Sequence, residues 1–209
     1  MLRILIADDH SVVRKGLKQI LQNEFSSALI EEVGDAEELV KKIMMEEWDI
    51  VISDISMPGR SGLDVLTQIR QSHPKLPFLI LSMYPEDQYA IRVLKAGASG
   101  YLNKDAAPEE LVKAINRVLS GKKYITPSIA ERLVTTVDQP GGEFNHEGLS
   151  DREFEVMKLL ASGKTVSEIS DQISLSVSTI STYRARIMTK MNMKTNTDLI
   201  MYSIDHKLI

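Results

Sequence analysis

Two hydrophobic periodicities alternate along roughly the first 120 residues. Short apolar or β-branched runs, "RILIA" (3–7), "LIEEV" (29–33), "DIVIS" (49–53), "PFLILS" (77–82) and "ASGYL" (98–102), read as strands. Between them lie stretches with apolar residues three or four apart. Val12, Val13, Gly16, Leu17, Ile20 and Leu21 form one predicted helical face. Leu39, Val40, Ile43 and Met44 form a second, and Leu111, Val112, Ile115, Val118 and Leu119 a third. Strands that alternate with amphipathic helices predict a parallel sheet covered on both sides. Pro108 followed by Glu109 and Glu110 marks a helix start, through its fixed φ and the charge at the positive end of the dipole.

The second part of the chain shows only the helical period. A short helix is expected over Ser128–Val137. "DQPGGEFNHEG" (138–148) follows, polar and turn-rich, and is the strongest candidate boundary. Ser150 with Glu153 three residues on forms a predicted capping box. Val166, Ile169 and Ile173 then mark one helix, Leu175 and Ser176 a turn, and Ile180, Tyr183, Ile187 and Met191 the inner face of the next. Ser178, Ser181, Thr182, Ala185 and Arg186 are left facing outward. Two short helices joined this way fit a helix-turn-helix, although the pattern alone also fits an ordinary helical hairpin. The expected organisation is an α/β domain over 1–122, a linker with a short helix over 123–147 and an all-α domain over 148–209.

Composition narrows the function classes. Cysteine is absent, which excludes disulfides and thiol-based metal or catalytic sites. "MLRILIADDH" meets acidic residues at positions 8 and 9 and lacks a secretory apolar core, and no apolar run approaches the roughly 18 residues of a membrane span. A cytoplasmic protein with no membrane partner is the expectation. The net charge of −4 hides a local excess. From Gln172 to Thr197 the chain carries Arg184, Arg186, Lys190 and Lys194 and no acidic residue, a modest cationic surface suited to an anionic partner.

The chemistry gathers at the strand ends. Asp8 and Asp9 follow the first strand, Asp54 the third, Ser82 closes the fourth and Lys104 follows the fifth. Alone, each reads as a cap, turn or surface residue. In a doubly wound sheet of flavodoxin-like order 2-1-3-4-5, four of those strands are neighbours, and ligands bind beyond their carboxyl ends. Three crowded carboxylates call for a cation or a proton. An oxygen-only donor set suits Mg²⁺, which favours phosphate oxygens. A carboxylate can attack phosphorus, and a lysine with a metal can neutralise the equatorial oxygens of the transferring group.

"ILIADDH", "DIVISDISMPGRSGLDVL", "LILSMY", "KAGASGYLNKD" and "PEELVKAI" together resemble a bacterial response-regulator receiver domain. The resemblance implies that Asp54 is the phosphoacceptor and that Asp8, Asp9, Asp54 and the Ser56 carbonyl hold Mg²⁺. It implies that Lys104 pairs with phosphoryl oxygens and that Ser82 and Tyr101 are the switch pair. Four positions depart from the common pattern: Met83, Asn103, Asp105 where a proline often stands, and Ala107 where a capping Ser or Thr is better. "LSDREFEVMKLLASGKTVSEISDQISLSVSTISTYRARIMTKMNMKTNTDLI" resembles the tetrahelical DNA-binding domain of the LuxR/NarL (FixJ) family. That resemblance implies base-facing Ser181, Thr182 and Ala185, and phosphate contacts from Lys164, Thr179, Arg184, Arg186 and Lys190. It makes the final helix, near Asn196–Ile204, a dimerisation element. The expected partners are a sensor histidine kinase, double-stranded promoter half-sites and, on activation, a second copy of the chain. Turnover catalysis is not expected. The competing readings are a Mg²⁺-dependent aspartyl-phosphate hydrolase, disfavoured by Ser56 two residues after Asp54, and a DNA-binding protein indifferent to phosphorylation.

Overall fold

The structure, a computed structural model, describes residues 1–57, 60–138 and 146–209. The chain divides into two compact units, Met1–Val134 and Thr135–Ile209.

The first unit alternates strands and helices: β1 (Arg3–Ala7), α1 (Ser11–Glu24), β2 (Leu29–Val33), α2 (Ala36–Met45), β3 (Ile50–Asp54), α3 (Gly62–Ser72), β4 (Phe78–Ser82), α4 (Glu86–Lys95), β5 (Gly100–Asn103) and α5 (Pro108–Leu119). All strand pairs are parallel and the order is β2-β1-β3-β4-β5, the expected doubly wound arrangement. Every residue of β3 and β4 is buried, because helices cover both faces of the central strands. One side of the core joins Ile4, Ile6, Ile52, Leu79, Leu81 and Leu102 of the sheet to Leu111, Ala114, Ile115 and Val118 of α5. α3 and α4, two helices that no apolar face in the sequence marked, complete the alternation. α3 starts at a capping box in which Ser61 and Asp64 bond reciprocally. α5 starts at Pro108 behind Ala107, which makes no side-chain cap. No peptide bond among the described residues is cis, so Lys104–Asp105 is trans. After α5 the chain touches the sheet edge once more: Tyr124 bridges Gly100 and its N–H donates to the Ser99 carbonyl at 2.8 Å.

Two expected faces are narrower than the spacing implied. Val12 is 81% exposed and Met44 47% exposed, and Gly16 is also exposed. One residue is about 100° of helical rotation. Val12 therefore sits a quarter-turn or more from half-buried Val13, and Met44 from buried Ile43. Asp54 is the last residue of β3 rather than the one after it.

α6 (Pro127–Asp138) covers the expected helix at 128–137. The loop expected over 138–148 lies mostly outside the described residues. The second unit holds a 3₁₀ turn at His146–Gly148 and then α7 (Asp151–Ala161), α8 (Val166–Gln172), α9 (Val177–Lys190) and α10 (Asn196–Asp205). Each helix has an oxygen cap. Ser150 with Glu153, Thr165 with Glu168 and Thr195 with Asp198 form complete capping boxes, and Ser176 accepts from the Thr179 N–H. Phe154, Met157, Leu160, Ile169, Ile173, Ile180, Ile187, Met191 and Leu199 are buried. Ser174, at φ 54°, makes the left-handed step between α8 and α9. No helix among the described residues is long and apolar enough to cross a membrane.

Candidate functional site

The strand order decides the site. β1, β3, β4 and β5 lie side by side, so residues at their carboxyl ends become neighbours. Asp8 follows β1, Asp54 ends β3, Ser82 ends β4 and Lys104 follows β5. Lys104 Nζ lies 2.6 Å from Asp8 Oδ2 and 2.8 Å from Asp54 Oδ2, bridging two carboxylates 46 positions apart in the chain. All three side chains are at most 9% exposed. The Ser56 backbone N–H donates to the Asp54 carboxylate.

Burial pushes the Asp54 pKa above the ordinary carboxylate value, with the Asp8 charge adding to it, against the pull of Lys104 and the Ser56 N–H. Burial alone would lower the Lys104 pKa. The Asp54 charge and hydrogen bonds to Asp54 and Asp8 outweigh it, so Lys104 stands above its ordinary value and carries its charge at neutral pH.

A second group of contacts surrounds the end of β4. Ser82 is buried, and its Oγ accepts from the Tyr84 N–H at 3.1 Å. Tyr101 is fully buried, so the expected switch aromatic points inward here. Its hydroxyl donates to the Tyr84 carbonyl at 2.6 Å, and burial raises its pKa. Asn103, one of the departures from the common receiver pattern, has a partner here: its Nδ2 donates to the same carbonyl at 3.4 Å. Ser56 Oγ donates to the Tyr84 hydroxyl at 3.3 Å. Tyr84, stacked on Tyr89 at 4.5 Å, thus ties the loops after β3 and β4 to β5. The sequence signals it only as an aromatic two residues past the switch serine.

Gly62 was also missed. A Cβ there would stand 2.0 Å from the Asp54 carbonyl oxygen and 3.0 Å from Ser53 Oγ. The first turn of α3 lies directly on the residue that carries the candidate nucleophile, and only glycine fits. The "PGRSG" turn signal marks the loop but not this approach.

Asp8, Asp9, His10 and Asp54 each offer one ligand atom, all within 4.8 Å of one another. Three carboxylates at the rim of a sheet are a hard-oxygen donor set, and they fit a divalent cation. Asp9 is the more open of the pair, with its side chain 29% exposed against 1% for Asp8. His10, absent from the expected ligands, comes with the cluster.

In the helical unit, Ser181, Thr182, Ala185 and Arg186 are exposed on α9, and Thr179 and Arg184 are half-buried. Several expected phosphate-contact residues have protein partners. Lys190 Nζ lies 2.7 Å from Glu153 Oε2, Arg184 Nε donates to Asn196 Oδ1 at 3.0 Å, and half-buried Lys164 donates to Gln172 Oε1. The Thr182 hydroxyl donates to the Ser178 carbonyl at 2.9 Å, leaving its methyl outward. The face that remains is small side chains and Arg186, suited to methyl and shape contacts as much as to base-edge hydrogen bonds.

A parallel sheet with a lysine-bridged carboxylate pair at its rim, followed in the chain by a capped helix-turn-helix, is the make-up of a two-domain DNA-binding regulator. Residues 4–116 match the family described as "Response regulator receiver domain", and residues 147–203 match "Bacterial regulatory proteins, luxR family". The chain belongs to the response regulators of the LuxR/NarL (FixJ) family, with a receiver and a DNA-binding domain, regulators rather than turnover enzymes. It is 35% identical over 209 residues to the response regulator UvrY of Escherichia coli strain K12, covering 100% of this chain and 96% of that protein. It is 36% identical over 215 residues to the oxygen regulatory protein NreC of Staphylococcus carnosus, covering 100% and 99%. RcsB of Salmonella enterica serovar Typhimurium, bound to promoter P1flhDC in the presence of the phosphomimetic BeF3-, has a TM-score of 0.60 and 28% identity, over 96% of this chain and 97% of that one.

Proposed function

We propose that Asp54 accepts a phosphoryl group from a sensor histidine kinase, with Mg²⁺ held by Asp8, Asp9, Asp54 and the Ser56 carbonyl. The observation that carries this is the buried Lys104 bridge between Asp54 and Asp8. An Asp54 carboxylate oxygen bonds to phosphorus as the bond from phosphorus to the kinase imidazole breaks. Lys104 holds positive charge where the phosphoryl oxygens arrive. A bound magnesium ion supplies further positive charge to those oxygens. The Ser82 hydroxyl then donates to a phosphoryl oxygen, and its neighbour Tyr101 follows it, biasing a two-state equilibrium. The favoured state dimerises through α10 and sets two copies of α9 in successive major grooves of promoter half-sites. Ser181, Thr182 and Ala185 face bases there, while Lys164, Thr179, Arg184, Arg186 and Lys190 face phosphates. The work is done in the cytoplasm.

Intact-mass measurement after incubation with a small acyl phosphate and Mg²⁺ tests the acceptor. One phosphoryl group is expected on the native chain and none on Asp54→Asn. Uptake undiminished in Asp54→Asn refutes the assignment. Multiple turnover of phosphate esters, lost in that variant, would favour a hydrolase instead.

A further inference from the structure

After α5 the chain returns to the sheet, where β5 is an edge strand. Tyr124 pairs with Gly100 there, and both flanks of this return segment are tied down. On one side Arg117 Nε of α5 donates to the Lys123 carbonyl at 2.9 Å, and the Tyr124 hydroxyl donates to Glu110, also of α5. On the other side the Thr126 hydroxyl donates to Glu86, the first residue of α4. Thr126 also begins α6. Its hydroxyl accepts from the Ile129 N–H at 3.3 Å, and its carbonyl accepts from the Ala130 N–H at 3.0 Å. Ile129 is buried, which fixes this end of α6, and the first unit ends within the same helix, at Val134.

We infer that the hydrogen bond between Thr126 and Glu86 couples the switch to α6. It forms with Tyr101 turned inward and parts when Tyr101 swings out, so phosphorylation of Asp54 tightens the start of the helix through which the chain leaves the first unit. The inference rests on the reading that Asp54 is phosphorylated and that Tyr101 follows Ser82. Glu86 stands two residues after Tyr84, whose carbonyl accepts from the Tyr101 hydroxyl. Pro85 lies between them, and it starts α4 without a side-chain cap. Its ring fixes φ, so a displacement at Tyr84 passes to Glu86 with little slack. Thr126 has no freedom to follow. A Cβ at Gly100 would stand 2.9 Å from Tyr124 Cβ and 3.0 Å from the Tyr124 carbonyl oxygen, so the return segment lies hard against β5. An O–H···O bond needs an oxygen separation of about 2.5–3.0 Å, and a shift of about 1 Å at Glu86 breaks it. The state described here has both contacts at once: Tyr101 is buried on the Tyr84 carbonyl while Glu86 meets Thr126.

Residue-resolved amide exchange on the full chain tests this, with and without beryllofluoride and Mg²⁺ as the phosphoryl mimic. The measure is the factor by which beryllofluoride slows exchange of the Ala130 amide, which bonds to Thr126. A factor of at least about five is expected in the native chain and in Thr126→Ser, which keeps the hydroxyl. A factor below about two is expected in Glu86→Ala and Thr126→Val. Losing the Thr126 cap speeds exchange in both states of Thr126→Val, so the ratio is read and not the rate. Fluorine-19 resonances of bound beryllofluoride report occupancy of the phosphoryl site. Bound beryllofluoride with no slowing in the native chain, or with native slowing in Glu86→Ala, overturns the coupling alone. No bound signal in the native chain, or a signal that persists in Asp54→Asn, overturns the phosphoryl site and the coupling with it.

Discussion

Replacing Gly62 by alanine tests the link between helix packing and nucleophile placement. The added Cβ would stand 2.0 Å from the Asp54 carbonyl oxygen, 3.0 Å from Ser53 Oγ and 3.1 Å from the Asp54 carbonyl carbon. Non-bonded carbon and oxygen need at least about 3 Å, so α3 and the end of β3 must separate by about 1 Å. Two of the three obstructing atoms are backbone, so no rotamer change relieves the clash. The movement also pulls on the bond from the Gly62 N–H to the Ile55 carbonyl, now 2.8 Å, and on the Ser61–Asp64 capping box. Over-packing of this kind costs about 1–3 kcal/mol. Displacing a reacting group by about 1 Å can slow its reaction as much as ~100-fold. Trp48, the single tryptophan and 8% exposed in the first unit, supplies the fluorescence signal for urea unfolding. Gly16→Ala in α1 is the control. Nothing lies within 4 Å of its Cβ, and the change should stabilise by about 0.5–1 kcal/mol. Gly62→Ala should unfold at lower urea and take up phosphoryl groups at least tenfold more slowly. If it matches the native chain in both midpoint and uptake, the close approach does not position Asp54.

Other consequences are simpler to check. Ala107 already has the extended cap geometry, at φ −61° and ψ 148°, so Ala107→Ser should raise the first unit's unfolding free energy by about 1 kcal/mol in the same urea assay. Burial works to raise the Glu153 pKa, but bonds from Lys190 and Ser150 outweigh it and hold the group below its ordinary 4.5. Its stabilising contribution is therefore present above about pH 4.5 and lost as pH falls below it. Thermal melts of the native chain should drop below that pH, and Glu153→Gln should flatten the drop; parallel curves would reject the coupling. Arg186→Ala should reduce the slope of log affinity against log salt for promoter DNA by about 0.9, the loss of one phosphate contact. An unchanged slope in a filter-binding or anisotropy titration would place Arg186 away from the backbone.

Much of this protein is local and could be read from neighbours in sequence. The β-branched runs mark strands because a fully buried strand needs apolar side chains on both faces. Ser150 with Glu153 marks a helix start because both partners of the capping box lie within four residues. Asp8, Asp54, Ser82 and Lys104 were legible as chemistry because each stands at the end of its own strand. What no local pattern carries is which strand ends meet, and at what distance. The order β2-β1-β3-β4-β5 sets Lys104 against Asp8 and Asp54, and that order is a property of the assembled sheet. The same holds for the Tyr84 carbonyl shared by Tyr101 and Asn103 and for the 2.0 Å that forbids a side chain at Gly62. Val12 and Met44 show the converse, since spacing places a residue within a quarter-turn of an apolar face but only packing sets how wide that face is. Periodicity reports what one segment offers. Contacts between segments far apart in the chain arise only when the sheet closes and the helices settle on it.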